Sequence, residues 1–216
     1  MSLPTPFDRF VFNERLEKEL KVFIDNPQAL PEVTCLWGYP GIGKTSFAKE
    51  YSSHFASNET YHPMNEITGN LTETFKRNLP FNKKTATLET FMDDSDSPKK
   101  VIGHVAILDE FHNLSGSKQD YFKTVFDEMN SRSDWFRIFL CINTDMKRPT
   151  PMSVLSGPIF SRCHHIDFNT SIREKDAYVN RLCERFPNLK RNEIACWLPD
   201  VRRIERENKM RSFQSV

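Results

Sequence analysis

The chain has 216 residues, of which 38% are hydrophobic, and sets 30 lysines and arginines against 29 aspartates and glutamates. That length buries a core sufficient for one large domain, or a main domain with a small appendage, without disulfides or a structural metal. A formal charge of +1 excludes a polycation that coats nucleic acid indiscriminately.

The five cysteines, Cys35, Cys141, Cys163, Cys183 and Cys196, are dispersed and form no CxxC pair, which argues against a zinc site or a disulfide framework. Met1-Ser2-Leu3-Pro4 lacks the basic-then-apolar start of a signal peptide, and no apolar run approaches the ~20 residues of a membrane span. A cytoplasmic protein with no membrane partner is expected.

In chain order, Asn13 is placed to cap a helix whose Leu16, Leu20, Phe23 and Ile24 share one face, ending before Pro27. Val33–Trp37 reads as a buried strand running into Gly38, and Ser46–His54 as the helix after the loop. A second strand is expected over Glu59–Met64, and helices over Leu71–Leu79 and Thr87–Met92, the latter within a polar excursion from Pro80 to Lys100. Val101–Leu108 is the next apolar run, Lys118–Asn130 a helix, and Phe136–Ile142 a strand broken only by Arg137. His164–Phe168 is a last short strand, and the pattern beyond Ser171 is helical, with breaks at Pro187 and Pro199. Strands alternating with helices predict a parallel sheet with helices on both faces. The expected division is an α/β core over residues 1–170 and a small all-helical lid over residues 171–216, where 11 Lys/Arg face 7 Asp/Glu.

Gly38-Tyr39-Pro40-Gly41-Ile42-Gly43-Lys44-Thr45, followed by Ser46, fits GxxxxGK[ST], the P-loop of nucleoside-triphosphate-binding proteins. Glycines let the backbone approach phosphate closely and turn its N–H groups inward, at the positive end of the following helix. Lys44 supplies a mobile charge for the β- and γ-phosphates, and Thr45 a hydroxyl for Mg2+. ATP with Mg2+ is the expected ligand.

Val105–Leu108 ends in Asp109-Glu110. In an open parallel sheet, ligands sit at the carboxyl ends of the strands, which puts both acids beside the loop. Asp109 is expected to hold Mg2+, usually through water, and Glu110 to orient and deprotonate the attacking water. Asn143, ending the following strand, is suited to bind the γ-phosphate or that water without adding negative charge.

Three further segments carry a resemblance. Ser161-Arg162-Cys163 ahead of the strand His164–Phe168 looks like the Ser-Arg-Cys motif of sliding-clamp loaders. Pro199-Asp200-Val201-Arg202-Arg203 is similar to their lid motif, and Asp109-Glu110-Phe111-His112 is close to their Asp-Glu-x-Asp. The chain thus resembles the AAA+ ATPases of the clamp-loader type, replication factor C and its phage counterparts, from about Asp8 to Met210. The resemblance implies a P-loop NTPase (AAA+) core with a helical lid, hydrolysing ATP in an oligomer of AAA+ subunits on primer–template DNA, with a sliding clamp as partner. It implies that Arg162 reaches the γ-phosphate of the neighbouring subunit's ATP, while Arg202 contacts the phosphate of its own.

Three departures accompany the resemblance. His112 replaces the family's final acid, the stretch from Asn143 to Ser161 is several residues longer than usual, and the expected lid leaves no room in these 216 residues for the helical collar that holds clamp-loader rings together. Two other readings stay open: a viral superfamily 3 helicase or helicase loader, and an ATP-dependent assembly switch with negligible turnover. Lys76, Arg77, Lys83 and Lys84, interleaved with Phe75 and Phe81, form a cationic stretch that reads as a solvated face or a nucleic-acid contact. His164-His165 reads as structural.

Overall fold

Among the described residues, five segments pair side by side into one sheet in which every strand runs the same way: β1 (Val33–Gly38), β2 (Ala56–Pro63), β3 (Ile102–Asp109), β4 (Phe136–Asn143) and β5 (His164–Asp167). The spatial order is β2-β3-β4-β1-β5. These positions come from a computed structural model that describes residues 3–65, 100–130 and 136–214. The helices expected over Leu71–Leu79 and Thr87–Met92, and the cationic stretch around Lys76 to Lys84, lie outside the described residues.

Parallel strands buried on both faces should read as nearly unbroken apolar runs, and the central β1, β3 and β4 do, whereas β2 and β5, at the two edges, carry polar and partly exposed residues. Along β4, Phe139 and Cys141 point to one core, shared with Leu36 and Ile107. Ile138, Leu140 and Ile142 point to the other, with Cys35 and Leu108. The first core lies under α1 (Glu14–Asp25) and α2 (Lys44–Phe55) and is strongly aromatic, Phe7, Phe47 and Tyr51 being fully buried there. Each such ring contributes about 1.5–3 kcal/mol through burial. The second core lies under α3 (Gly116–Asn130), whose Phe122 and Phe126 are buried, and the short α4 (Gly157–Phe160).

Local signals set the helix starts. The Asn13 side chain accepts from the Leu16 N–H at 2.9 Å, as an N-cap should, and two acids occupy the first turn of α1. Helix α2 begins at Lys44 rather than Ser46, because Gly43 in the left-handed region (φ 99°) turns the chain directly into it. Strand β2 then starts at Ala56 with no intervening loop, three residues ahead of the expected Glu59. Buried Arg137 interrupts no pairing: its guanidinium donates to the carbonyls of Leu30 and Phe136, at 2.7 and 3.0 Å, where β4 begins.

Among the described residues, three helices follow residue 171: α5 (Lys175–Arg185), α6 (Arg191–Trp197) and α7 (Val201–Gln214). They close on an apolar cluster of their own, with Tyr178, Val179, Leu182, Ile194 and Ile204 buried. The Tyr178 hydroxyl donates to the Val11 carbonyl at 3.0 Å, and Arg181 pairs with buried Glu17 at 2.5 Å, seating this helical part on the start of the chain.

Candidate functional site

The strand order puts β4 between β1 and β3, and the register brings all three to the same level. Leu140 pairs with Cys35 on one side and Leu108 on the other, and Asn143 pairs with Gly38. The loop after β1, the acids after β3 and Asn143 therefore emerge together at the carboxyl ends of the sheet.

Lys44 is 5% exposed and folds back on its own loop, donating from Nζ to the carbonyls of Gly38 (2.9 Å) and Tyr39 (2.7 Å). Burial pulls its ammonium down to a pKa of about 8; Arg202 adds to that effect and Asp109 opposes it. The next residue reaches across the sheet: the Thr45 hydroxyl donates to Asp109 Oδ1 at 3.0 Å. Asp109 also accepts from the Glu110 N–H on Oδ1 (3.0 Å) and from the Tyr61 hydroxyl on Oδ2 (2.8 Å).

Glu110 stands in the left-handed region at φ 54°, alone in this among the described non-glycine residues. Such a conformation costs of order 1–3 kcal/mol and recurs where geometry serves a site. Its carboxylate accepts from the Asn113 side chain at 3.2 Å. His112, in place of the acid that the resemblance leads one to expect, uses Nδ1 to accept the Asn143 backbone N–H at 3.2 Å. Burial lowers its pKa, and Arg148 and Lys44 lower it further, so the ring is neutral, as an accepting Nδ1 requires. The histidine thereby ties the turn after β3 to the end of β4.

The helical part after residue 171 also reaches the loop. The Arg202 N–H donates to the Gly41 carbonyl at 3.2 Å. Gly41 has φ +80°, and a Cβ there would collide with the Asp200 carboxylate, so both backbone and space demand glycine. Gly41, Ile42, Gly43, Ser46 and Arg202 border a cavity of about 90 Å³ that Phe10, Val11 and Phe12 close from the far side. Ile42 itself is buried in the aromatic core.

Arg162 is not brought to this loop. It precedes β5, at the amino ends of the strands, and makes a two-pronged pair with Asp127 of α3 (2.6 and 3.1 Å) while donating to the Pro158 carbonyl. The pair holds the Asp127 carboxyl below its usual pKa. His165 stacks on Phe160 and bonds its carbonyl at 2.9 Å, a packing role.

Three contributors escaped sequence reasoning. Tyr61 touches Asp109, Asp127 holds Arg162, and Asn169 accepts the Tyr39 N–H at 2.9 Å while lying against Gly38. Each pairs residues 35 to 130 positions apart, a distance over which no spacing rule operates.

A glycine loop of this build, opening a helix at the carboxyl edge of a parallel sheet, defines a P-loop nucleotide-binding domain. The chain belongs to the AAA family of ATPases, associated with various cellular activities, whose pattern matches residues 34–166. No curated protein matches the chain. Its fold is similar to that of a single-site variant of Thermotoga maritima RuvB (TM-score 0.55, 17% identity, 89% of this chain and 57% of that one). It is likewise similar to the RuvB Holliday junction branch migration motor of the same organism (TM-score 0.52, 18% identity, 85% and 54%). The replication initiator DnaA bound to AMPPCP and single-stranded DNA is another such structure (TM-score 0.58, 17% identity, 94% and 63%). The chain thus spans less than two thirds of these structures' length, and the likeness is one of fold. Among the described residues no helix is long and apolar enough to cross a membrane.

Proposed function

We propose that the chain binds ATP with Mg2+ on Gly38–Ser46 and hydrolyses it, as a clamp-loader-like subunit of an AAA+ oligomer acting on DNA in replication. The observation that carries the chemical part is the 3.0 Å contact between Thr45 and Asp109. It joins the phosphate loop to the acids across 64 residues of sequence, and it sets two oxygen donors together, a donor set that suits a hard cation such as Mg2+.

In this reading Lys44 leaves its two carbonyls to meet the β- and γ-phosphates. Thr45 and Asp109 hold Mg2+, which when bound offsets phosphate charge. Glu110 turns from Asn113 to orient the attacking water and accept its proton, and Asn143 steadies that water or the γ-phosphate. Arg202, on the lid over Gly41, contacts the γ-phosphate within the subunit and reports its presence to residues 171–216, which act as a lid on the core formed by residues 1–170.

Arg162 serves the neighbouring subunit's ATP. Its place at the far ends of the strands, away from its own loop, favours donation in trans, and such a finger is worth about 10³–10⁵ in rate in related phosphoryl transfers. DNA, and a sliding clamp on primed template, enter through the clamp-loader likeness of Ser161–Cys163 and Pro199–Arg203. Two of the similar structures are a branch migration motor and an initiator holding single-stranded DNA.

Mixing subunits tests the reading. Lys44→Ala abolishes nucleotide binding, and Arg162→Ala binds ATP without turning it over. Combined, the two restore phosphate release, stimulated by primed DNA, because the first lends its arginine to the second. Full turnover by Arg162→Ala alone overturns the trans assignment, and release indifferent to DNA overturns the replication role.

A further inference from the structure

The Asp109 carboxylate has about four acceptor positions on its two oxygens. Among the described residues three are filled: Oδ1 takes the Thr45 hydroxyl and the Glu110 N–H, and Oδ2 takes the Tyr61 hydroxyl. The phenol bond, at 2.8 Å, is the shortest of the three. Tyr61 belongs to β2, where it pairs with Ile107, two residues before Asp109. Its ring is fixed from the other side by α2, for the Lys49 ammonium sits 3.7 Å from its centroid. Both groups that border the ring thus come from elements flanking the candidate metal pair, Lys49 from the helix that begins with Lys44 and Thr45.

We propose that Tyr61 is a positioning residue for Mg2+ binding: its hydroxyl fixes Oδ2 of Asp109 so that the carboxylate offers one defined acceptor position to the ion's water shell. The inference rests on the reading of Asp109 as a Mg2+-holding residue. Without the phenol the carboxylate is held only through Oδ1 and rotates about its Cβ–Cγ bond, so the ion meets an unfixed partner. The nucleotide's own contacts with the glycine loop and Lys44 are untouched by this change. Lys49 acts one step further out, holding the ring that holds the carboxylate.

The test is the Mg2+ dependence of binding a fluorescent ATP analogue, measured by anisotropy on the whole chain. Tyr61→Phe keeps the ring over which Lys49 sits and removes only the hydroxyl. It should raise the Mg2+ concentration for half-maximal tight binding about tenfold, the worth of one hydrogen bond to a charged acceptor. Affinity in EDTA should stay as in the parent. Lys49→Met should produce a smaller rise in the same direction, and thermal melting of both variants should match the parent. Asp109→Asn separates the two levels of the argument. If Asp109→Asn shifts the Mg2+ requirement and Tyr61→Phe leaves it unchanged, the tyrosine's role is refuted and the metal reading stands. If neither variant shifts it, the metal reading itself has failed. A loss of affinity in EDTA by Tyr61→Phe also refutes the inference, since it would show an effect on the loop rather than on the carboxylate.

Discussion

Raising the pH from about 7.5 to about 9 should weaken ATP binding roughly eightfold, through one side chain. In the free protein Lys44 is buried against two carbonyls, and its pKa falls to about 8. Beside phosphate the ammonium regains a strong charge partner, which returns its pKa to the ordinary value of about 10.4 or above. Between those two values the bound state holds more protons than the free state, so affinity must fall as pH rises. The charged fraction of free Lys44 drops from about 0.76 to about 0.09 over this interval, a loss of about 1.3 kcal/mol in binding. Phosphate groups, with a second pKa near ~6, are already fully charged in this range. Titration calorimetry in two buffers of different ionisation heat reads the linkage directly, as proton uptake rising toward about 0.9 per nucleotide at the upper pH. An affinity that stays flat, with no proton uptake, would refute the picture of a lysine held uncomfortably between carbonyls until phosphate arrives.

Other outcomes follow from the same geometry. Gly41→Ala forces a side chain into the left-handed region at a cost of about 1–2 kcal/mol and drives it into Asp200; thermal melting should fall, and nucleotide affinity with it as the Asp200 segment is pushed off the loop. Glu110→Gln should bind ATP as tightly as the parent while phosphate release drops at least ~10²-fold, the usual worth of a general base; unchanged release would remove Glu110 from that role. His104 is 3% exposed, and burial first, then the neighbouring His62, depresses its pKa from 6.5 to about 4. On acidification the unfolded chain takes the proton first, so stability is intact above the unfolded value and is lost as pH falls toward the folded one, in total about 3 kcal/mol. Urea unfolding at several pH values checks this, and His104→Phe should flatten the slope.

The local signals around the candidate site were more legible than its assembly. The phosphate loop is a contiguous pattern in which each residue type has a local reason, and the observed turn through Gly43 into α2 follows from it. The central strands β1, β3 and β4 showed as largely apolar runs because the middle of a parallel sheet is buried on both faces, whereas the edge strands β2 and β5 carry polar residues and gave a weaker signal. Asn13 announced α1 because capping is a short-range hydrogen bond. Strand order was not legible: nothing in Phe136–Asn143 says that it inserts between β1 and β3, although that insertion brings Asn143 beside Gly38. The same holds for Tyr61, which read as an ordinary strand aromatic, and for Asp127, one acid among several on an exposed helix face. Their partners are set by tertiary register rather than by spacing along the chain. His112 shows the converse case. A departure from a family pattern marked the residue, but only the fold revealed its use, an imidazole whose Nδ1 accepts the Asn143 N–H and so bridges two strand ends.

The proposed convergence of Thr45 and Asp109 on one nucleotide-bound Mg2+ is tested most directly by a double-mutant cycle. Thr45→Ala, Asp109→Asn and the pair are compared for the Mg2+ concentration that half-saturates the ATP complex. Residues that share one ion couple, so the double variant should be weakened by at least ~1 kcal/mol less than the sum of the single losses. Strict additivity, with each change acting as though the other residue were elsewhere, would contradict the shared site.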